Sequence, residues 1–231
     1  MKVLLIIPAY NEGEGIVSLV AKINQARPDI DYVVINDGSK DNTDELLKAH
    51  NINHVTLVKN LGIGGAVQTG YRYAKDNDYD IAIQFDGDGQ HDIDSVQTLI
   101  DAIVSKEGEL VIGSRFVSDS SSEFQSSFMR RVGITILSTL IKITTGKRIL
   151  DVTSGNRACN RDIIEYFADE YPTEYPEPES IVHVIKRGYT VKEVGVTMFE
   201  REFGVSSIRA LNSVKYMIKV GLSIIIASMA R

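Results

Sequence analysis

The sequence predicts an α/β fold: a doubly wound, mostly parallel sheet with helices on both faces. Three observations carry this expectation. Short apolar runs recur at Lys2–Ile7, Tyr32–Ile35, Val55–Val58, Ile81–Phe85 and Leu110–Ile112, each the length of a buried strand. Helix-compatible stretches separate them, and four strand–helix alternations in a row are the pattern of a parallel sheet. The residues that close the strands are acids and hydrogen-bond donors: Tyr10 and Glu12, Asp37, Asp86 and Asp88, Arg115. Strands running the same way gather such residues at one edge, where open α/β sheets take their ligands.

The elements follow in order. Lys2–Ile7 has no polar alternation, which suits a central strand buried on both faces. Pro8-Ala-Tyr-Asn-Glu12 stops it, and Glu14–Ala26 has helical spacing. Tyr32–Ile35 ends at Asn36-Asp-Gly-Ser39, where Asp37 either faces a ligand or opens an Asx-turn. Ser39 or Asp41 is placed to cap a helix over Asn42–His50. Val55–Val58 leads to Asn60-Leu-Gly-Ile-Gly-Gly65 and a helix over Ala66–Lys75. Those glycines match neither familiar phosphate loop. Val67 stands where a dinucleotide fingerprint needs its third glycine, and Tyr71-Arg72 stands where a P-loop needs Lys-Ser/Thr. A close backbone approach to a nucleotide or a strand is one reading, and a plain turn is the other. Helices over Ile93–Val104, Val132–Thr145 and Ser180–Lys186 complete the ordered part, with a Ser-rich loop at Ser118–Ser127.

Composition narrows the function. With 231 residues, 43% hydrophobic and 24% charged, the chain can build one large domain or two small ones. A net charge of −6 argues against a general nucleic-acid binder. The lone Cys159 precludes an internal disulfide framework and fits a reducing compartment. Neither a signal peptide nor an apolar run of bilayer length is visible.

The organising stretch is Ile81-Ala-Ile-Gln-Phe-Asp86-Gly87-Asp88-Gly-Gln90-His91. A buried strand stops and leaves two carboxylates two residues apart. Such a pair repels itself unless a cation lies between, and oxygen donors of this kind suit Mg²⁺ or Mn²⁺ shared with substrate phosphates. An Asp-Gly turn between strands is the plain alternative. An EF-hand is excluded, because His91 and Gln97 stand where that loop needs Gly and Glu.

Seven motifs in order resemble family 2 glycosyltransferases of the GT-A fold, in particular the dolichyl- or polyprenyl-phosphate branch. They are Pro8-Ala-Tyr-Asn-Glu12, Asn36-Asp-Gly-Ser39, Asn60-Leu-Gly-Ile-Gly-Gly65, Asp86-Gly-Asp-Gly-Gln90, Gly113-Ser-Arg-Phe116, Asp151-Val-Thr-Ser-Gly-Asn156 and Arg201-Glu-Phe-Gly-Val-Ser206. The resemblance implies a nucleotide-sugar donor, a divalent metal (Mg²⁺ or Mn²⁺) and inversion at the anomeric carbon. By position, it implies that Pro8, Tyr10, Glu12, Ile35 and Asp37 hold base and ribose, and that Asp86, Gly87, Asp88 and Gln90 hold metal and diphosphate. Arg115, Arg131, Arg201 and Ser206 fall around donor and acceptor phosphates. Residues 1–200 then form the catalytic domain, with a nucleotide-binding half at 1–115 and an acceptor half at 116–200. Three departures stand out: Asn156 where many relatives carry an aromatic, Ser207 where several carry a lysine, and no C-terminal transmembrane helices. Tyr175-Pro-Glu-Pro-Glu179 resembles a bacterial subgroup of short chains working beside a small membrane protein.

The acceptor decides what other chemistry is needed. A phosphate monoester such as polyprenyl phosphate is already ionised and needs arginine contacts more than a base. A saccharide hydroxyl needs a general base, for which Asp151 and Glu179 are the candidates. Asp151 also suits a cap on the turn that follows, and Glu179 suits the N-terminal dipole of its helix. A vestigial, non-catalytic nucleotide-binding scaffold is the third reading. The expected site of action is the cytoplasmic face of the cell membrane, with a homo-oligomer as a further possibility. Segment 201–231 supports that place. Arg201, Arg209, Lys215, Lys219 and Arg231 stand against Glu202 alone, and Val214, Met217, Ile218, Gly221, Ile225 and Met229 fall near one helical face. A helix apolar on one side and basic on the other can lie in a membrane interface or pack on a partner.

Overall fold

A computed structural model describes residues 1–87, 91–117, 128–197 and 213–229. Strand β1 (Val3–Ala9) lies inside the sheet, paired in parallel with β2 (Asp31–Asn36) and β4 (Ile81–Gln84), and β3 (His54–Thr56) pairs with β2. Its side chains alternate between two cores. Leu4 and Ile6 join one, while Val3, Leu5, Ile7 and Ala9 join the other. Burial on both sides is why this run is continuously apolar.

The second core is closed by α1 (Glu14–Ala26), α2 (Thr43–Ala49) and α4 (Ser95–Val104). The first is closed by α3 (Gly62–Asp76), α5 (Phe128–Thr145), α6 (Arg161–Asp169), α7 (Pro176–Lys186) and α8 (Ser213–Met229). Helices on both faces and six strands sharing one direction bear out the doubly wound, mostly parallel expectation.

The seven strands run in the order β3-β2-β1-β4-β6-β5-β7. Here β5 is Leu110–Ser114, β6 is Arg157–Asn160 and β7 is Val191–Gly195. β6 is antiparallel to both its neighbours. Its reversed direction delivers the preceding residues, Asp151–Asn156, to the same edge where β1, β2, β4 and β5 end.

Several boundaries differ from the sequence expectation. β3 stops at Thr56 and Val58 projects into solvent. α3 starts at Gly62 rather than Ala66, because the Asp37 carboxylate accepts the Leu61 and Gly62 N–H groups at 2.7 and 2.9 Å. Two glycines in α3 are required by close approach: a Cβ at Gly64 would stand 2.4 Å from the Pro172 carbonyl, and one at Gly70 2.2 Å from Ile6 Cγ2. Of the two candidate caps for α2, Asp41 does the work, accepting the Thr43 N–H at 3.0 Å. α7 starts at Pro176, a residue whose missing N–H costs nothing in a first turn. α8 corrects the expected face. Its buried line is Val220, Ile224 and Ala227, whereas Ile218, Ile225 and Met229 point outward with Leu222 and Ile226. The Ser-rich stretch 118–127 lies outside the described residues.

Candidate active site

The edge is built from loops that brace one another. After β1, Asn11 adopts φ 56°, donates its N–H to Ser39 Oγ at 2.9 Å and accepts the Lys40 N–H at 2.8 Å. Thr43 Oγ1 accepts the N–H groups of Glu12 and Gly13. Tyr10 stands exposed above this loop. Pro8 and Ile35 are buried strand residues, so any contact they make with a ligand runs through the backbone. Asp37 is 4% exposed. Burial pushes its carboxyl up from the usual range, and the Leu61 and Gly62 N–H groups pull it back. Asn36 Oδ1 accepts the Ser39 N–H three residues on, and the Asp37 oxygens go to Leu61 and Gly62, so Asp37 opens no Asx-turn.

Asp86 sits just past the end of β4, its side chain 33% exposed. Gln84 Nε2 donates to Oδ1 at 3.3 Å, and His91 Nε2 lies 3.2 Å from Oδ2. The carboxylate rests on Gly155, where a Cβ would stand 2.5 Å from Oδ2. Gly87 in turn passes the Pro8 carbonyl. Asp88 and Gln90, the other expected metal donors, lie outside the described residues. Among the described residues no three His, Cys, Asp or Glu side chains gather as a metal site. What is described fits a hard cation: a carboxylate one-third exposed, held by Gln84 and His91, in a seat that only glycine leaves free.

Arg115 and Asp151 answer each other. Asp151 is fully buried, and its two oxygens accept the Arg115 N–H, Nε and Nη2 at 2.6–3.0 Å. Its side chain therefore caps nothing in the Thr153-Ser154-Gly155 turn. As a general base it would first have to leave a bidentate, charge-assisted pair. Glu193 on β7 holds this loop from outside by accepting the N–H groups of Leu150 and Asp151.

Arg157 is a buried support of this edge that sequence reasoning missed. It is 1% exposed and its guanidinium reaches four carbonyl or hydroxyl oxygens: Val152 O, Ser154 O, Glu177 O and Ser180 Oγ. It thus ties the Asp151–Asn156 loop to the first turn of α7. The Glu177 carboxyl is pushed up by burial and pulled back by Arg157, with Asp86 raising it and Gln84 hydrogen-bonding it. The usable signal was an arginine placed directly after a Ser-Gly-Asn turn. Gln84 and His91 gave none, because nothing in an amide two residues before Asp86 and an imidazole five residues after it marks them as its supports. Asn156 is fully buried, and neither its amide nitrogen nor its oxygen has a partner among the described residues.

Glu179 lies in the first turn of α7, half-buried, with His183 Nε2 3.7 Å away one turn later. Arg131 is exposed on α5, remote from Asp86 in the chain and facing a cleft beside Phe116. Arg201 and Ser206 lie outside the described residues.

This geometry has counterparts. Among solved structures, glucosyl-3-phosphoglycerate synthase of Mycobacterium tuberculosis, in complex with Mn²⁺, UDP and glucosyl-3-phosphoglycerate, superposes with a TM-score of 0.72 at 19% identity, over 98% of this chain and 79% of that one. At that identity the likeness concerns the fold. Polyprenol monophosphomannose synthase of Mycolicibacterium smegmatis is 30% identical over 228 residues, covering 95% of this chain and 85% of that protein. UDP-N-acetylglucosamine–dolichyl-phosphate N-acetylglucosaminyltransferase of Methanococcus voltae is 30% identical over 224 residues, covering 88% of each. The sequence model of glycosyl transferase family 2 matches residues 4–167, from β1 into α6, a span that contains the Asp86 edge and the Arg115–Asp151 pair. The chain belongs to glycosyl transferase family 2.

Proposed function

We propose that this enzyme moves a sugar from UDP-glucose or UDP-N-acetylglucosamine to undecaprenyl phosphate or a related polyprenyl phosphate, with inversion at the anomeric carbon. The observation that carries the reading is the seat of Asp86: a part-exposed carboxylate set on a glycine and oriented by Gln84 and His91, at the edge where Tyr10, Glu12 and Asp37 also arrive. Relatives named for polyprenol and dolichyl phosphates support the acceptor class. A Mg²⁺ or Mn²⁺ ion held by Asp86, with Asp88 and Gln90, would neutralise the charge that builds on a departing diphosphate. Gln84 and His91 fix the direction of the Asp86 carboxylate, and the braced Asn11–Thr43 loops hold Tyr10 and Glu12 where base and ribose approach.

The state of Asp151 favours a phosphate acceptor over a saccharide hydroxyl. A hydroxyl needs a free base within hydrogen-bond reach; both oxygens of Asp151 are engaged by Arg115, which leaves that reading with Glu179 alone. A phosphate monoester carries its own charge and needs only to be positioned.

No helix among the described residues is long and apolar enough to cross a membrane. α5 and α8 nevertheless expose Val132, Ile136, Ile143, Ile218, Leu222 and Ile226. This supports peripheral docking at the cytoplasmic membrane face, directly or on a small membrane protein.

The test is transfer itself. Protein, Mn²⁺, radiolabelled UDP-sugars and undecaprenyl phosphate should yield a labelled lipid that disappears on chelation and in Asp86→Ala. Label appearing in a saccharide instead, or in no product from any donor, rejects the reading.

A further inference from the structure

The first turn of α7 brings a second carboxylate to Asp86. Gln84 on β4 stands opposite Arg157 on β6 across their antiparallel ladder. Arg157 Nη1 donates to the Glu177 carbonyl at 2.7 Å and to Ser180 Oγ at 2.9 Å, which draws that turn onto the pair. Pro176 and Pro178, both buried, flank Glu177 and restrict the backbone on either side of it. The Glu177 side chain is therefore presented from a fixed base. The Gln84 amide hydrogen-bonds the Glu177 carboxylate and also donates to Asp86 Oδ1 at 3.3 Å, so one amide holds two acids side by side.

Arg157 gives its hydrogen bonds to carbonyl and hydroxyl oxygens, and only its charge acts on the Glu177 carboxyl. Glu177 is half-buried, so a molecule seated on Asp86 can reach it. Two polar atoms beside the acids have no partner among the described residues: Gln84 Oε1 and the Tyr171 hydroxyl. Gln84 is wholly buried and Tyr171 is 8% exposed. The charges of Glu177 and Asp86 both act on that hydroxyl. Buried polar atoms normally find partners, and a ligand rich in hydroxyls would supply them here. A carboxylate is an acceptor only, so a pair of them suits hydroxyl donors. The same pair opposes a further anion, and more strongly away from water.

We infer that Glu177 selects the donor sugar: it accepts hydroxyl protons from a neutral hexose and turns away a hexuronate. The hexose of a sugar nucleotide is bonded directly to the phosphate that a cation on Asp86 would hold, so the group beside Asp86 meets the sugar. Gln84 positions the Glu177 carboxylate, and Tyr171 adds a hydroxyl able to donate as well as accept. The inference rests on the nucleotide-sugar reading above and adds the selecting residue and the charge class of the sugar.

Binding without acceptor separates the two. Affinities of the full chain in Mn²⁺ are measured by calorimetry for UDP, UDP-glucose, UDP-N-acetylglucosamine and UDP-glucuronate. Wild-type protein should bind the better neutral sugar nucleotide about tenfold or more tighter than UDP-glucuronate. Glu177→Gln keeps the shape and removes the charge. It should keep the wild-type affinity for UDP, weaken the neutral sugar nucleotides several-fold and lose the bias against UDP-glucuronate. Glu177→Asp keeps the charge and should keep the bias, which decides the matter should Glu177→Gln melt early. Tyr171→Phe should melt no lower than wild type, because the hydroxyl it removes has no partner, and should bind UDP-glucose several-fold more weakly. The inference is overturned by wild-type protein that binds UDP-glucuronate as tightly as the neutral donors. It is also overturned by a Glu177→Gln protein with an unchanged bias, or by one that loses UDP in the same proportion as the sugar nucleotides. Wild-type protein that binds no UDP at all would reject the donor reading and this inference with it, whereas UDP binding without the bias rejects this inference alone.

Discussion

Gly155 makes room for the Asp86 carboxylate, and a methyl group there would stand 2.5 Å from Oδ2. The Asp86 side chain can turn outward to relieve the clash, but it then leaves Gln84 and His91. Gly155→Ala should therefore fold, with stability within about 1 kcal/mol of wild type. It should lose at least tenfold in transfer, about 1.4 kcal/mol, together with the thermal shift produced by Mn²⁺ and UDP. Normal values for both would detach Gly155 from the site. Cys159 shows a different residue-scale effect. Burial pushes its thiol up from 9.0 to about 12, against the pull of Tyr71 and Arg157. A raised folded pKa means that the native state keeps its proton longer than the unfolded chain. That contribution is fully present below the unfolded value and is lost as pH rises toward about 12. Native protein should resist maleimide at pH 8 and react fully in denaturant. Cys159→Ala should flatten the alkaline part of the stability curve, read by urea unfolding at several pH values. The acids at the strand ends could be read from the sequence because each follows an apolar run. Gln84 and His91 could not, because an amide and an imidazole near an acid carry no pattern, and the partners of Arg157 on α7 lie 20 and 23 residues away and meet it only in the fold.

At the scale of elements, α3 and β1 meet so closely that Gly70 lies on Ile6. A methyl at position 70 would push the helix off the central strand. Gly70→Ala should destabilise the fold by about 1–3 kcal/mol, the usual range for an overpacked core, although alanine is the better helix former. An equal or higher unfolding midpoint would show that the helix shifts freely. The same element shows why boundaries escape a sequence reading. The start of α3 is set by Asp37, which lies 24 residues before Leu61 in the chain and reaches it only through the fold. β6 escaped for a related reason. Arg-Ala-Cys-Asn has no apolar run, and it is a strand because β4 and β5 lie on either side of it. β1 needed no such help, since seven residues buried on two faces announce themselves.

Over the whole molecule, most of the large apolar side chains left exposed among the described residues share one region. They concentrate on α5 and α8, which pack together where Gly221 meets Leu140 and Gly133 meets Met217. A core-facing stripe explains Val220 and Ile224, but not Ile218, Leu222 and Ile226. The helical spacing of α8 was visible in the sequence. Which side turned inward was not, because Val220 and Ile224, which the fold buries, lie off the apolar stripe that the spacing picks out, and the packing partner decides. Anionic vesicles should carry wild-type protein down on centrifugation, and Leu222→Asp with Ile226→Asp should leave it in the supernatant with an unchanged melting temperature. Equal sedimentation of both would assign the patch to a protein neighbour.

The reversed strand β6 has a consequence for how the chain is made. β4 emerges from the ribosome long before Arg157–Asn160 exist to pair with Ile81–Gln84. Until then the nascent half-sheet ends in the unpaired edge of β4, with Ile81 and Ile83 on it, open to any passing chain. Synthesis halted in that interval should give a sticky product, and slow codons or chaperone capture between β5 and β6 would have their largest effect on yield there.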